Sequence, residues 1–131
     1  MSTFRVPFSI TARPSSGDPT TDAPVVGRTT FDKVFSTEPL IGSSVVEMVS
    51  VLGATGPLAY VALERVDGSL DGAVGSFVLR HVGTISDGAP ILELEVVAGS
   101  GTGGLAQLTG TGTIEHADEG AFLTLTYSLP G

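Results

Sequence analysis

Residues 75–97 read GSFVLRHVGTISDGAPILELEVV, and this stretch decides the fold class of the 131-residue chain. In its second part, apolar residues alternate with Glu93 and Glu95, as in a strand with one face in solvent. An Asp-Gly pair at 87–88 precedes that part and is a hairpin signal. The stretch therefore predicts two antiparallel strands joined by a turn. The positions that share one face of the first strand are Phe77, Leu79 and His81.

The rest of the chain repeats this pattern of short alternating runs. Its 18 glycines and 8 prolines recur too often for long helices, and the runs between them are rich in Val, Thr, Phe and Leu. Eight strands joined by short turns indicate an up-and-down barrel or a sandwich, and an eight-stranded barrel has room for one small ligand. The predicted strands are 3–11, 29–36, 43–52, 58–66, 75–84, 91–97, 110–116 and 121–128, with turns at 53–57, 67–68 and 87–88 and a helical turn at 105–108.

We expect one domain, residues 1–131. Two irregular segments interrupt its strands. Residues 13–27 are rich in Pro, Gly, Ser and Thr and predict a long loop, either a mobile surface segment or a functional one. Residues 98–104, AGSGTGG, lack the lysine of a phosphate-binding loop and the strand–helix–strand context of a dinucleotide site. We therefore interpret them as a tight turn or a barrel-closing bulge.

Composition excludes several classes of function. The net charge of −8 and the single lysine disfavour nucleic acids and anionic membrane surfaces as partners. The absence of cysteine excludes disulfides, thiolate zinc sites and cysteine nucleophiles. The N-terminus has no apolar signal segment and no window is long enough to span a membrane, so we expect a cytoplasmic protein.

The motif LERVDGSLDGAVGSFVLRHVG at 63–83 and a glycine-rich motif at 97–110 resemble the signature of domain-of-unknown-function family 3224. The second motif, VAGSGTGGLAQLTG at 97–110, is similar to a glycine-rich segment of that family. Weaker similarity includes Lys33, Phe35 and Glu47, and the whole resemblance spans residues 31–127. The first connection departs from the family, since it lacks the aromatic and acidic stretch of many members. The first motif comprises Leu63, Glu64, Arg65, Gly68, Leu70, Gly72, Gly75, Ser76, Phe77, Leu79, His81 and Gly83.

The resemblance implies a closed eight-stranded antiparallel barrel, similar to that of allene oxide cyclase. That superfamily includes cofactor-free cyclases that act on hydrophobic small molecules. The family itself has no settled activity, so the resemblance implies a fold and leaves the reaction open.

Four polar residues that stand inside mainly apolar runs are candidates for a site in the barrel: Glu47, Glu64, Arg65 and His81. If the third turn is centred on Thr55, positions 45 and 65 pair, which places Glu47 and Arg65 on one face. An inward carboxylate is costly unless it is paired, and Arg65 is the available cation. The alternatives are an internal salt bridge with a core histidine, or a polar anchor in an apolar cavity. The predicted catalytic residues are Glu47, Glu64 and His81, and the predicted substrate-binding residues are Arg65, Tyr60, Phe77 and Tyr127.

Three functions fit this set. The first is a cofactor-free isomerase or cyclase that confines a hydrophobic small molecule, with a carboxylate and His81 moving protons and Arg65 binding an oxygen. The second is a carrier barrel for an apolar ligand, and the third is a structural module with a packed interior. The two histidines have no second ligand at a metal-binding spacing, so we expect neither a metal nor a cofactor.

The third strand predicts a homo-oligomer, most simply a homodimer. Its odd-numbered face carries Val45, Val49 and Val51, and its even-numbered face is apolar as well. A barrel strand buries only one face inside, so the other face requires a cover. With Glu47 inward, the even-numbered face would be the outer one. The cover is either a second subunit or the 13–27 segment of the same chain.

Overall fold

The structure, a computed structural model, describes residues 1–13, 25–53, 56–86 and 89–130. Over these ranges each strand is antiparallel to the next, and the first pairs with the last, so the sheet closes into an eight-stranded barrel. The predicted all-β class and the closed antiparallel barrel are confirmed. The strands are β1 (Ser2–Ala12), β2 (Val25–Thr37), β3 (Leu40–Gly53), β4 (Gly56–Leu70), β5 (Ala73–Ser86), β6 (Ala89–Val96), β7 (Thr109–Ala117) and β8 (Gly120–Ser128), with a 3-10 turn at Gly103–Leu105.

The turn predicted at Asp67-Gly68 is wrong, because β4 continues to Leu70 and turns at 71–72. Gly68 lies opposite Gly42 of β3 in the sheet. A Cβ atom on Gly68 would stand 2.1 Å from the carbonyl oxygen of Ile41. The lack of a side chain at Gly68 therefore allows β3 and β4 to approach closely. In the observed turn, Asp71 adopts a left-handed conformation, with φ of 52°.

The other connections predicted from the sequence agree with the structure only in part. The loop predicted over 13–27 ends earlier than expected, because β2 begins at Val25. Residues 14–24 lie outside the described residues. Arg13 at its start forms an ion pair with Asp32, at 2.6 Å. The predicted turns at 54–55 and 87–88 also lie outside the described residues.

The barrel interior is packed at one end, which we call the plug end. This end contains the turns from β2 to β3 and from β4 to β5, and the connection from β6 to β7 covers it. Large apolar side chains fill this half because every second position of each strand points inward. The largest fully buried apolar residues here are Phe35, Leu40, Val66, Leu70, Phe77, Leu79, Leu105 and Leu108.

The glycine-rich connection covers the plug end, whereas the sequence predicted a tight turn or a barrel-closing bulge. Val97 N donates to Val78 O at 2.9 Å, and Thr102 N donates to Ser76 O at 2.8 Å. The connection thus continues along the edge of β5 where β6 has ended. A Cβ atom on Gly75 would stand 2.0 Å from the Thr102 carbonyl oxygen, which explains the need for glycine at this contact.

We call the opposite end the mouth. The large inward-facing side chains there are half-buried or exposed, in contrast to those at the plug end. The mouth residues are Ile10, Phe31, Met48, Tyr60, Leu92 and Ile114, each placed inward by its cross-strand register.

The even-numbered face of β3 points inward, so the predicted inward position of Glu47 is wrong. Val46 is buried, whereas Glu47 is exposed and accepts a hydrogen bond from Thr30 Oγ1 at 3.0 Å. The predicted pairing of positions 45 and 65 is confirmed, and it places Arg65 on the outer face too. The sequence could not decide between the faces of β3, because both carry valines.

The outer face of β2–β5 near the mouth is apolar. We call it the outer apolar patch, and it borders a groove of about 330 Å³. Val26 and Val61 are more than half exposed, at 64% and 53%. The outward-facing residues of this patch are Val26, Val49, Val51, Ala59, Val61 and Val82.

Candidate functional site

A cluster of buried polar side chains lies between the plug end and the mouth. Its four residues come from four adjacent strands, β2 to β5, and each is at most 5% exposed. We call Lys33, Ser44, Glu64 and His81 the polar cluster.

Glu64 is the centre of the polar cluster. Its Oε1 atom accepts hydrogen bonds from Lys33 Nζ at 3.1 Å and His81 Nε2 at 2.8 Å. Its Oε2 atom accepts one from Ser44 Oγ at 2.6 Å. Each partner comes from a different strand, so the position of the carboxylate depends on the closed sheet.

The polar cluster keeps the Glu64 carboxylate ionised. Burial by itself raises the pKa of Glu64. The hydrogen bond from His81, the charge of Lys33 and the hydrogen bond from Ser44 outweigh burial, and the net pKa is lowered. A buried charge with this many partners is the arrangement that makes an internal carboxylate tolerable.

Lys33 has a second contact, with an aromatic ring. Its Nζ atom lies 4.4 Å from the centroid of the Phe8 ring on β1. The face of an aromatic ring attracts a cation, and burial strengthens that attraction. The ammonium group is therefore held between the Glu64 carboxylate and Phe8.

The contact with Glu64 determines which nitrogen of His81 carries the proton in the neutral ring. Because a carboxylate accepts hydrogen bonds, the Nε2–H group is the donor to Glu64. The other nitrogen, Nδ1, then presents a lone pair and can act as a proton acceptor. A carboxylate also stabilises the imidazolium that forms when Nδ1 takes a proton.

Tyr60 lies on the mouth side of this pair. It is the cross-strand partner of Gly83, and its ring covers the place where a side chain at position 83 would stand, 2.2 Å from an ideal Cβ. His81 pairs with Ala62, two residues further along β4, so His81 lies diagonal to both Tyr60 and Glu64. Burial raises the pKa of the Tyr60 phenol, which therefore stays a hydrogen-bond donor.

The structure brings together only part of the predicted site. Glu64 and His81 meet as buried partners, and Tyr60 lies beside them at the mouth. Phe77 and Tyr127 are buried in the apolar core of the plug end. The hydroxyl of Tyr127 donates to Asp71, and burial together with this bond raises the pKa of Tyr127 to about 12.

Arg65 and Glu47 lie outside the barrel, so the expectation that they line its interior is wrong. Arg65 is within 3.4 Å of Asp67, a second exposed side chain on the outer face of β4. The cation that faces Glu64 is Lys33 instead.

Sequence reasoning missed two members of the polar cluster, Lys33 and Ser44. Lys33 stands between Phe31 and Phe35 on one face of β2, and this pattern is a signal for an inward lysine. Ser44 shares the even-numbered face of β3 with Val46, but the sequence left open which face was inside.

Comparison with protein families identifies the relatives of this barrel. The model for "Protein of unknown function (DUF3224)" matches residues 4–128. The chain belongs to the DUF3224 family. Among solved structures, it is similar to a protein of unknown function from the DUF3224 family of Shewanella oneidensis MR-1, with 33% sequence identity and a TM-score of 0.85. The match covers 100% of this chain and 98% of that one.

The family description assigns no chemistry to the DUF3224 barrel. The search of curated proteins returned no match. In the described ranges, no helix is long and apolar enough to cross a membrane. The same ranges contain no group of three or more His, Cys, Asp or Glu residues positioned to hold a metal ion.

Proposed function

We propose that this barrel binds a small hydrophobic carbonyl compound in its mouth and isomerises or cyclises it by proton transfer, without a cofactor. The observation that supports this proposal is the hydrogen bond between buried Glu64 and His81, below an apolar mouth. In such a pair the histidine is an oriented base, and the carboxylate stabilises the positive charge that the histidine acquires.

In the proposed reaction, Nδ1 of His81 removes a proton from the carbon next to the carbonyl. The electron pair of the C–H bond moves to the carbonyl and forms an enolate, and His81 becomes an imidazolium beside Glu64. The Tyr60 phenol donates a hydrogen bond to the enolate oxygen. In a β,γ-unsaturated carbonyl compound the enolate extends over the C=C bond. The imidazolium then returns the proton to the γ-carbon and the C=C bond moves next to the carbonyl, so atoms and charge balance.

Lys33 and Ser44 act as positioning residues in this scheme. They occupy the remaining acceptor sites of Glu64 and keep the carboxylate ionised and aimed at His81. The apolar mouth residues exclude water from the reacting carbon. The family resemblance implies a barrel similar to that of allene oxide cyclase, whose superfamily includes cofactor-free cyclases, and this analogy supports the proposal.

Deuterium exchange tests this proposal directly. Purified protein is incubated in D2O with a panel of apolar cyclic and acyclic ketones, and mass spectrometry follows deuterium at the carbon next to the carbonyl. We expect incorporation for the wild type, a large loss for His81→Gln, and a smaller loss for Tyr60→Phe. His116→Gln is the matched control, because His116 is exposed at the rim. Equal incorporation by the wild type and His81→Gln would refute the proposal.

The second candidate is a carrier barrel that binds an apolar ligand without changing it. The observation that favours it is that Glu64 already has three hydrogen-bond donors within the protein, as in an internal salt bridge. Native mass spectrometry of the purified protein distinguishes the two functions. A bound molecule that is recovered unchanged after incubation supports the carrier, and its conversion to an isomer supports the enzyme.

A further inference from the structure

The barrel wall is weakly joined between β6 and β7. Among the described residues, their ladder consists of two pairs, Leu94 opposite Gly112 and Glu95 opposite Thr111. On either side, the ladders from β5 to β6 and from β7 to β8 continue toward the mouth, as far as Ser86 opposite Ala89 and Ala117 opposite Gly120. Two well-paired hairpins therefore diverge from this joint toward the mouth, and we call the gap between them the wall cleft.

A cavity of about 310 Å³ lies at the base of the wall cleft. Leu94 and Gly112 in its lining belong to the inward face, by their register with His81 and Leu125. The remaining lining residues lie on the outward face, so residues of both faces of the wall border the cavity. Those outward residues are Arg80, Glu93, Glu95 and Thr111.

The inner end of the wall cleft is next to the polar cluster. Leu94 is the cross-strand partner of His81. Gly112 adds no side chain to the inner face, and a Cβ atom there would stand 3.1 Å from Leu94 and 3.2 Å from Leu125. The cavity thus borders the residue that is paired with His81.

We propose that small molecules reach His81 through the wall cleft, between β6 and β7. The inference goes beyond the proposed function, because it concerns access and holds for an enzyme and a carrier alike. The outer lining is charged, and Arg80 forms an ion pair with Glu95 there, whereas the inner lining is apolar. The cleft therefore suits a small, mainly apolar molecule with one polar group.

Carbethoxylation of histidine by diethyl pyrocarbonate measures access to His81 without any substrate. The chain has two histidines, and exposed His116 is the internal reference for reagent concentration. Thr111→Trp places a large side chain in the cavity from its outer side. We expect the rate at His81, divided by the rate at His116, to fall severalfold in Thr111→Trp. Thr109→Trp on the same strand is the matched control and keeps the wild-type ratio.

A second variant keeps the test decisive if the tryptophan disturbs folding. Glu95→Cys with Thr111→Cys joins the two partners at the base of the cleft, and the chain has no other cysteine. We expect the oxidised form to modify His81 more slowly than the reduced form of the same protein. Equal ratios in all forms, or no modification of His81 in the wild type, overturn the proposal. Since the reagent is not a substrate, this outcome is separate from the deuterium-exchange result.

Discussion

Nε2 of His81 on β5 lies 2.8 Å from Oε1 of Glu64 on β4, although the two residues are not cross-strand partners. Glu64 is opposite Leu79, and His81 is opposite Ala62. The contact is a diagonal one across the inner face, within reach of long side chains in a twisted sheet. It joins the two strands that carry the most distinctive motif of the chain.

The first prediction concerns removal of the buried carboxylate. Glu64→Gln leaves the Lys33 ammonium without its counter-charge, and we expect a loss of about 3–5 kcal/mol in the free energy of unfolding. Urea denaturation followed by circular dichroism measures it. Glu47→Gln makes the same chemical change at an exposed position and should alter stability by no more than about 0.5 kcal/mol. Similar losses in the two variants would contradict the buried ion pair.

The second prediction concerns acid stability. The pKa of Glu64 is lowered in the folded state from its ordinary value of 4.5, so the folded state binds this proton less readily than the unfolded state. The resulting stabilisation is present above that ordinary value and is lost as the pH falls through the folded-state pKa. We expect the difference in stability between the wild type and Glu64→Gln to shrink as the pH falls below about 4. Denaturation curves from pH 7 to pH 3 measure it, and a constant difference would contradict the lowered pKa.

The third prediction compares two glycines that have close neighbours. At Gly75 an added Cβ meets backbone, the Thr102 carbonyl oxygen at 2.0 Å, and at Gly83 it meets the movable ring of Tyr60. We expect Gly75→Ala to cost at least about 3 kcal/mol and Gly83→Ala to cost about 1–3 kcal/mol. In a Tyr60→Leu background the cost of Gly83→Ala should fall, since the ring is gone. An unchanged cost there would show that Tyr60 does not occupy that space.

The fourth prediction concerns the homodimer, which remains an expectation from the sequence. We expect its interface to be the outer apolar patch, because the inward face of β3 is now known to be the even-numbered one. Val61→Glu on this patch should dissociate the dimer, whereas Val74→Glu, an exposed valine elsewhere on the barrel, should leave it intact. Light scattering at tens of micromolar protein measures the mass. A wild-type monomer would contradict the prediction.

Alternation along each strand made much of the fold predictable. Phe77, Leu79 and His81 share an inward face, and Glu93 lies on the outer face, as their period of two indicates. The number of strands followed from the spacing of the turns. The predicted strand ends were less accurate. Asp67-Gly68 resembles a turn signal, but its glycine allows two strands to approach closely inside the sheet.

The polar cluster was predictable only in part. Glu64 and His81 were evident as polar residues within apolar runs, but Glu47 had the same local pattern and lies outside the barrel. The difference between Glu47 and Glu64 is the face of the strand on which each lies. On β3 both faces are apolar, because the outer one belongs to the outer apolar patch, and local alternation cannot tell them apart.

Residues close together in the chain were enough to predict the all-β class, the alternation of faces on each strand and the family. Three features emerged only in the folded barrel: the inward face of β3, the contacts of Lys33 and Ser44 with Glu64 and His81, and the two residue pairs that join the described strands β6 and β7. These features depend on the register between strands. Register follows from the closure of the whole barrel and the packing of its interior, and no single strand encodes it.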